Sequence, residues 1–209
     1  MTEVIFERKV ADEILVEKAS LLLNDGGIIV IPTDTIPGIG CKADNIDSVR
    51  KLFELKERPL NLAIPVVISD AAIAEDYTLD LPKIYYKLAD RFWPGALTLV
   101  VKSNGKIDKL VGGGSDTLGL RVPDYPLLRD IIRSCESPLA LTSANPHHLA
   151  PSGLHPRLLT WWNHKTDLIV LGKSTVTYPP STVIDLTTDP PEILREGTIT
   201  SEDLEFFLS

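Results

Sequence analysis

The chain has 209 residues, of which 44% are hydrophobic and 24% charged, an ordinary balance for a globular protein long enough to bury one core. Its formal net charge of −8 excludes a surface that is basic all over, so any phosphate site must be a local concentration of cations. Cys41 and Cys135 form no metal-like or paired pattern, the stretch Met1–Val10 is no apolar leader, and no apolar run approaches the ~18 residues a bilayer span needs, so a cytoplasmic chain with no membrane contact is expected.

Residues 11–24 place Ile14, Leu15, Leu22 and Leu23 at helical spacing, and Asn24-Asp25-Gly26-Gly27 supplies a stop. Ile28-Ile29-Val30-Ile31 then reads as a buried strand that ends at Pro32. The turn that follows, Pro32 to Gly40, holds Thr33, Asp34, Thr35 and two glycines. Read alone, it is better explained by Asx or Ser/Thr turns that satisfy their own backbone than by a site. A helix is expected over Asn45–Lys56, capped by Asn45 or Asp47, with Val49, Leu52 and Phe53 on one face.

Further along, Ala63–Ile68 is strand-like, Asp80–Phe92 is helical with Pro82 in its first turn, and Ala96–Val101 is a strand. Gly112-Gly113-Gly114 is a flexible connection or an anion cradle. Then come a strand at Thr117–Val122, a helix at Pro126–Arg133 and a strand at Pro138–Thr142. Helices and strands alternate to this point. Short strands at Leu168–Leu171, Thr182–Leu186 and Glu192–Leu194 among prolines predict a sheet that turns mixed or antiparallel late in the chain, before a closing helix at Ser201–Leu208.

No Walker-type loop, no strand-linked Gly-x-Gly-x-x-Gly and no His-Glu-x-x-His is present. His147, His148, His155 and His164 crowd one Pro- and Trp-containing stretch and read as surface or loop residues. The remaining polar groups collect at element ends: Lys56 and Arg58 before Pro59, Arg121 before Val122-Pro123, Thr142-Ser143-Ala144-Asn145 after an apolar strand, Ser181-Thr182, and Arg195. Lys56 and Arg58 also suit a helix C-terminus, and Arg121 alone would pass for a surface arginine. Together these hydroxyls, an amide, one lysine and three arginines could bind a polyphosphate plus a small carboxylate.

In order and spacing these residues resemble the YrdC-like family of threonylcarbamoyl-AMP synthases. The matching pieces are Pro32-Thr33-Asp34-Thr35-x-x-Gly38-x-Gly40, Lys56-x-Arg58-Pro59, Phe92-Trp93-Pro94-Gly95-x-Leu97-Thr98, Thr117-x-Gly119-x-Arg121-x-Pro123, Ser143-Ala144-Asn145, Ser181-Thr182-Val183 and Arg195-x-Gly197. The resemblance implies an α/β fold: a twisted, mixed parallel/antiparallel sheet with flanking helices around a large concave cavity. It implies a single domain over 1–209, the short form without the extra C-terminal domain of longer relatives. The implied reaction joins L-threonine, bicarbonate and ATP into threonylcarbamoyl-adenylate and pyrophosphate, for threonylcarbamoylation of a tRNA adenosine.

By resemblance, Lys56, Arg58, Thr117, Thr142, Ser143, Asn145 and Arg195 hold ATP, with Lys56 and Arg58 also neutralising the departing pyrophosphate. Thr33, Thr35, Arg121 and Ser181 hold threonine, Arg121 through the carboxylate. Magnesium is expected on the ATP phosphates and no metal on protein side chains. RNA or tRNA, and tRNA-modifying proteins that use the adenylate, are the expected partners. Three departures from the family's usual pattern bear on the same cavity: Pro37 in place of a tyrosine, Leu62-Ala63 in place of Asn-Pro, and Val67 near an expected histidine. They leave open an alternative, a divergent nucleotide- or double-stranded-RNA-binding module of the same fold without synthase activity.

Overall fold

A computed structural model describes residues 1–173 and 179–208. Its centre is one ten-stranded sheet. The strands are β1 (Glu3–Phe6), β2 (Ile29–Ile31), β3 (Gly38–Lys42), β4 (Val66–Val67), β5 (Leu97–Lys102), β6 (Thr117–Arg121), β7 (Leu139–Ser143), β8 (Leu168–Leu171), β9 (Thr182–Asp185) and β10 (Glu192–Arg195). They lie in the order β1-β8-β2-β3-β7-β4-β6-β5-β9-β10. Among the described residues six α-helices flank it: α1 (Asp12–Asn24), α2 (Ile46–Lys56), α3 (Lys83–Phe92), α4 (Pro126–Cys135), α5 (His155–Trp162) and α6 (Ser201–Leu208). Among the described residues no helix is long and apolar enough to cross a membrane.

The sheet is mixed, as the resemblance implies, but the mixing does not wait for the C-terminal third. β2–β3, β3–β7, β7–β4 and β5–β6 are all antiparallel, while β1–β8, β8–β2, β4–β6 and β5–β9 are parallel. Strict alternation of helix and strand also fails, because β2 runs into β3 through a hairpin. Gly38 and Gly40 are therefore strand residues and not part of a turn. Their lack of a side chain lets β7 approach: a Cβ on Gly40 would stand 2.3 Å from the Ala140 carbonyl oxygen.

Asn45 caps α2 as expected, its side chain accepting from the Ser48 amide at 3.1 Å. The helix ends where Glu57 turns left-handed at φ 51°. Pro82 is the N-cap of α3, extended at ψ 154°, so the helix begins three residues later than Asp80. The expected strand Ala63–Ile68 shrinks to two residues next to Pro65, which has no amide to give. Two elements go beyond the sequence expectation: β1, of four residues, and α5, which opens on His155-Pro156 in the histidine-rich stretch.

Period-two alternation divides the core between the two faces. On β2, Val30 joins one apolar cluster with Val49, Leu52 and Phe53 of α2, Tyr85 and Leu88 of α3, and Trp162 of α5. Ile29 and Ile31 join the other, with Leu15, Ala19 and Leu23 of α1 and Leu127, Leu128 and Ile131 of α4. The α1–α4 pair covers only part of its face of the sheet. Beyond it, over β4, β6, β5 and β9, the same face carries polar side chains.

Candidate functional site

Strand register builds the floor of a cavity of about 530 Å³. Arg121 pairs with Val67, Gly119 with Val100, and Thr98 with Val183, which in turn pairs with Arg195. Paired residues share a face, and so do alternate residues of one strand, so Thr117, Gly119 and Arg121 stand in a row beside Thr98 and Val100. All of these line the cavity. The intervening Leu97, Leu99, Leu118 and Leu120 are buried on the far side. The polar groups are thus not confined to element ends; several run along one strand face.

Arg121 is the most tightly held of them. Its Nε donates to the Gly95 carbonyl at 3.0 Å, Nη1 to Thr35 Oγ1 at 3.0 Å and Nη2 to Asp34 Oδ1 at 2.6 Å. Only 8% of the residue is exposed. A guanidinium carries five donors, so two remain for a ligand. The hairpin that supplies Asp34 and Thr35 is braced from within. Thr33 Oγ1 donates to the Ile36 carbonyl at 2.8 Å and accepts from the Thr35 amide at 3.0 Å. The Ser/Thr-turn reading is realised in these bonds, and the same turn presents Thr35 to Arg121.

Opposite, Arg195 donates from Nε and Nη2 to the Ser181 carbonyl at 3.1 and 2.8 Å, and the Ser181 hydroxyl lies 2.9 Å from that of Thr98. Desolvation, and then the positive charge of Arg121, push the Arg195 guanidinium below its ordinary pKa. Arg58 donates to the carbonyls of Leu62 and Ala63 at 3.2 and 2.6 Å, and burial lowers its pKa as well. Three guanidiniums therefore converge on one cavity in a chain of net charge −8.

Nine of the eleven expected site residues line this cavity: Thr33, Thr35, Arg58, Thr117, Arg121, Thr142, Ser143, Ser181 and Arg195. Lys56 and Asn145 are not among its lining. Lys56 is 2% exposed, and its Nζ donates to the Ser143 carbonyl at 2.5 Å and to that of Asn145. Asn145 is buried too; its Nδ2 donates to the carbonyls of Pro146 and Leu149, and its Oδ1 has no partner among the described residues. Both residues stand behind the wall and shape it.

Asp34 and Thr98 join the expected residues at the site, and both lie within the matched motifs. Their signal was weak in sequence because each works through a partner far along the chain. Of the departures, Ala63 and Val67 line the cavity, Leu62 is exposed, and the Pro37 carbonyl accepts from the Ala144 amide at 2.7 Å, extending the β3–β7 pairing.

Burial, with the charge of Arg58 adding to it, pushes the Lys56 ammonium from its ordinary 10.5 down to about 7. A neutral amine keeps two N–H groups, enough for both carbonyls. The folded state then binds fewer protons than the unfolded one between those two values, so this group's contribution to stability grows as pH rises through that window. Urea unfolding of the wild type and Lys56→Met at pH 7, 8 and 9 is expected to show the wild-type advantage widening by up to about 1.4 kcal/mol per pH unit. A difference that stays flat would mean the ammonium remains charged in the fold.

The Sua5_yciO_yrdC family model, described as "Telomere recombination", matches residues 21–197. Threonylcarbamoyl-AMP synthase of Pyrococcus abyssi is 32% identical over 206 residues, covering 98% of this chain and 60% of that protein. The protein of the same name from Bacillus subtilis is 34% identical over 191 residues, covering 91% of this chain and 55% of its own length. The chain thus spans little more than half the length of these two relatives. The crystal structure of P. abyssi Sua5 complexed with L-threonine superposes with a TM-score of 0.92 at 29% identity, over 99% of this chain and 60% of that one.

Proposed function

The chain belongs to the Sua5/YciO/YrdC family, and on that premise we propose that it is an L-threonylcarbamoyladenylate synthase. The observation that carries this reading is the convergence of Arg58, Arg121 and Arg195 on one hydroxyl-lined cavity of about 530 Å³. Such a cavity can take a polyphosphate and an amino-acid carboxylate together. The names of the two relatives and the threonine complex of P. abyssi Sua5 support it.

In this proposal the amine of threonine attacks the carbon of carbon dioxide supplied by bicarbonate, giving a carbamate and releasing a proton. A carbamate oxygen then attacks the α-phosphorus of ATP, and the bond to pyrophosphate breaks. No side chain becomes covalently attached. Arg121 takes the carboxylate of threonine, with the hydroxyls of Thr33, Thr35 and Ser181 beside it. Arg58 and Arg195 take the phosphates and offset charge as pyrophosphate departs, while Thr117, Thr142 and Ser143 supply hydroxyls to the nucleotide. Lys56 and Asn145 enter as supports that set the Ser143–Asn145 turn. Catalysis is positioning plus fixed charge.

Magnesium fits as a companion of ATP: the described lining offers hydroxyls and no carboxylate, so phosphate oxygens and water would hold the ion, and it would screen their charge. The adenylate would pass to proteins that transfer the threonylcarbamoyl group to a tRNA adenosine, a role that would suit a cytoplasmic chain. Purified protein is expected to release pyrophosphate only when L-threonine and bicarbonate are both supplied with ATP and magnesium. Release no higher than background, or release indifferent to threonine, would overturn the proposal.

A further inference from the structure

A cavity with three arginines that must hold both ATP and threonine has a sorting problem. Free polyphosphate carries far more charge than a zwitterionic amino acid and would be expected to occupy every bare guanidinium first. Among the described residues only one of the three is ion-paired: Arg121 Nη2 meets Asp34 Oδ1 at 2.6 Å, with the two side chains 10% and 13% exposed. Arg58 and Arg195 are held by backbone carbonyls, which orient them without cancelling their charge. Asp34 is itself absent from the cavity lining, whereas its neighbours Thr33 and Thr35 are present. It touches the site only through Arg121.

We propose that Asp34 is a positioning and specificity-determining residue that reserves Arg121 for a carboxylate by keeping that guanidinium in a neutral, oriented ion pair. This rests on the reading of the cavity as a threonine and ATP site. The pair has no net charge, so a group bearing several negative charges gains little there and is repelled by the carboxylate behind it. A monoanionic carboxylate needs less charge and more geometry. Arg121 offers that geometry, because the bonds to Gly95, Thr35 and Asp34 fix the guanidinium plane and leave two donors unspent. The polyphosphate is left to Arg58 and Arg195.

A residue that merely props Arg121 would, on removal, weaken every ligand alike, whereas a charge-sorting residue moves two ligands in opposite directions. Calorimetry on the full chain with L-threonine and with inorganic pyrophosphate separates these. In Asp34→Asn the dissociation constant for threonine is expected to rise about 10-fold while that for pyrophosphate falls about 3-fold, and pyrophosphate begins to compete with threonine. Asp34→Glu keeps the charge on a longer stem. It is expected to hold pyrophosphate at the wild-type level while threonine weakens, and it carries the test should the asparagine variant fail to fold. Parallel weakening of both ligands in the asparagine variant, or tighter pyrophosphate binding in the glutamate variant, would overturn the inference. If wild-type protein binds no threonine, the synthase reading falls by itself. The pyrophosphate arm still decides the role of Asp34, because an asparagine variant with unchanged pyrophosphate affinity removes it.

Discussion

Lys56→Ala is expected to lower the thermal midpoint by about 6 °C or more, the loss of roughly 3 kcal/mol in a chain of this length. Lys56 is among the largest fully buried side chains. Its removal takes from the Asn145 carbonyl its donor, at about 1–3 kcal/mol for an unsatisfied buried acceptor, and takes one of two donors from the Ser143 carbonyl, which keeps the Asn145 amide at 2.9 Å. The void left behind adds to this, as for any long side chain cut to alanine in a core. Relief from holding this amine below its ordinary pKa works the other way and keeps the total below the simple sum. Thermal unfolding reads the effect directly. A midpoint within about 1 °C of wild type, alongside weakened ATP binding, would return Lys56 to the role of a direct phosphate contact.

That result would also measure how far a motif can be read without its surroundings. Lys56-x-Arg58 looks like two equivalent cations in sequence, yet Lys56 ends α2 facing inward while Arg58 follows the left-handed Glu57 and emerges into the cavity. One backbone dihedral sends them to different places. Elements with strong local signals were legible: the helices over 12–24, 46–56 and 126–135, and the apolar strands β2, β5, β6 and β7. What sequence could not show was register. Thr117, Gly119 and Arg121 belong to one face only because β6 pairs with β4 and β5 as it does. Asp34 is 87 residues from the arginine it pairs with. β1 gave no signal because its four residues alternate weakly and take their place from β8. Gly38 and Gly40 misled for a different reason: glycine marks a turn and a close strand contact equally well, and here the contact decides.

For Arg58→Ala the expectation is the reverse of that for Lys56: a large loss of ligand and a small loss of stability. The side chain spends one N–H of Nε and one of Nη2 on the carbonyls of Leu62 and Ala63, leaving three of its five donors for the cavity. Both of those residues are exposed, so water can replace the guanidinium at their carbonyls. Their loop is also held independently, since Gly113 packs its bare Cα against the Asn61 carbonyl and the Ala63 amide, where a Cβ would come within 2.8 Å. Unfolding free energy should therefore fall by no more than about 1 kcal/mol. Two charge-assisted bonds to phosphate, at roughly 1.5–3 kcal/mol each, correspond to an ATP affinity lower by about 100-fold or more. Arg58→Lys keeps the charge but not the fork, and should fall between the two. Calorimetric titration with ATP beside thermal unfolding of the same samples checks the split: equal losses in binding and stability would make Arg58 a brace for the 58–63 loop and leave Arg195 as the principal phosphate contact.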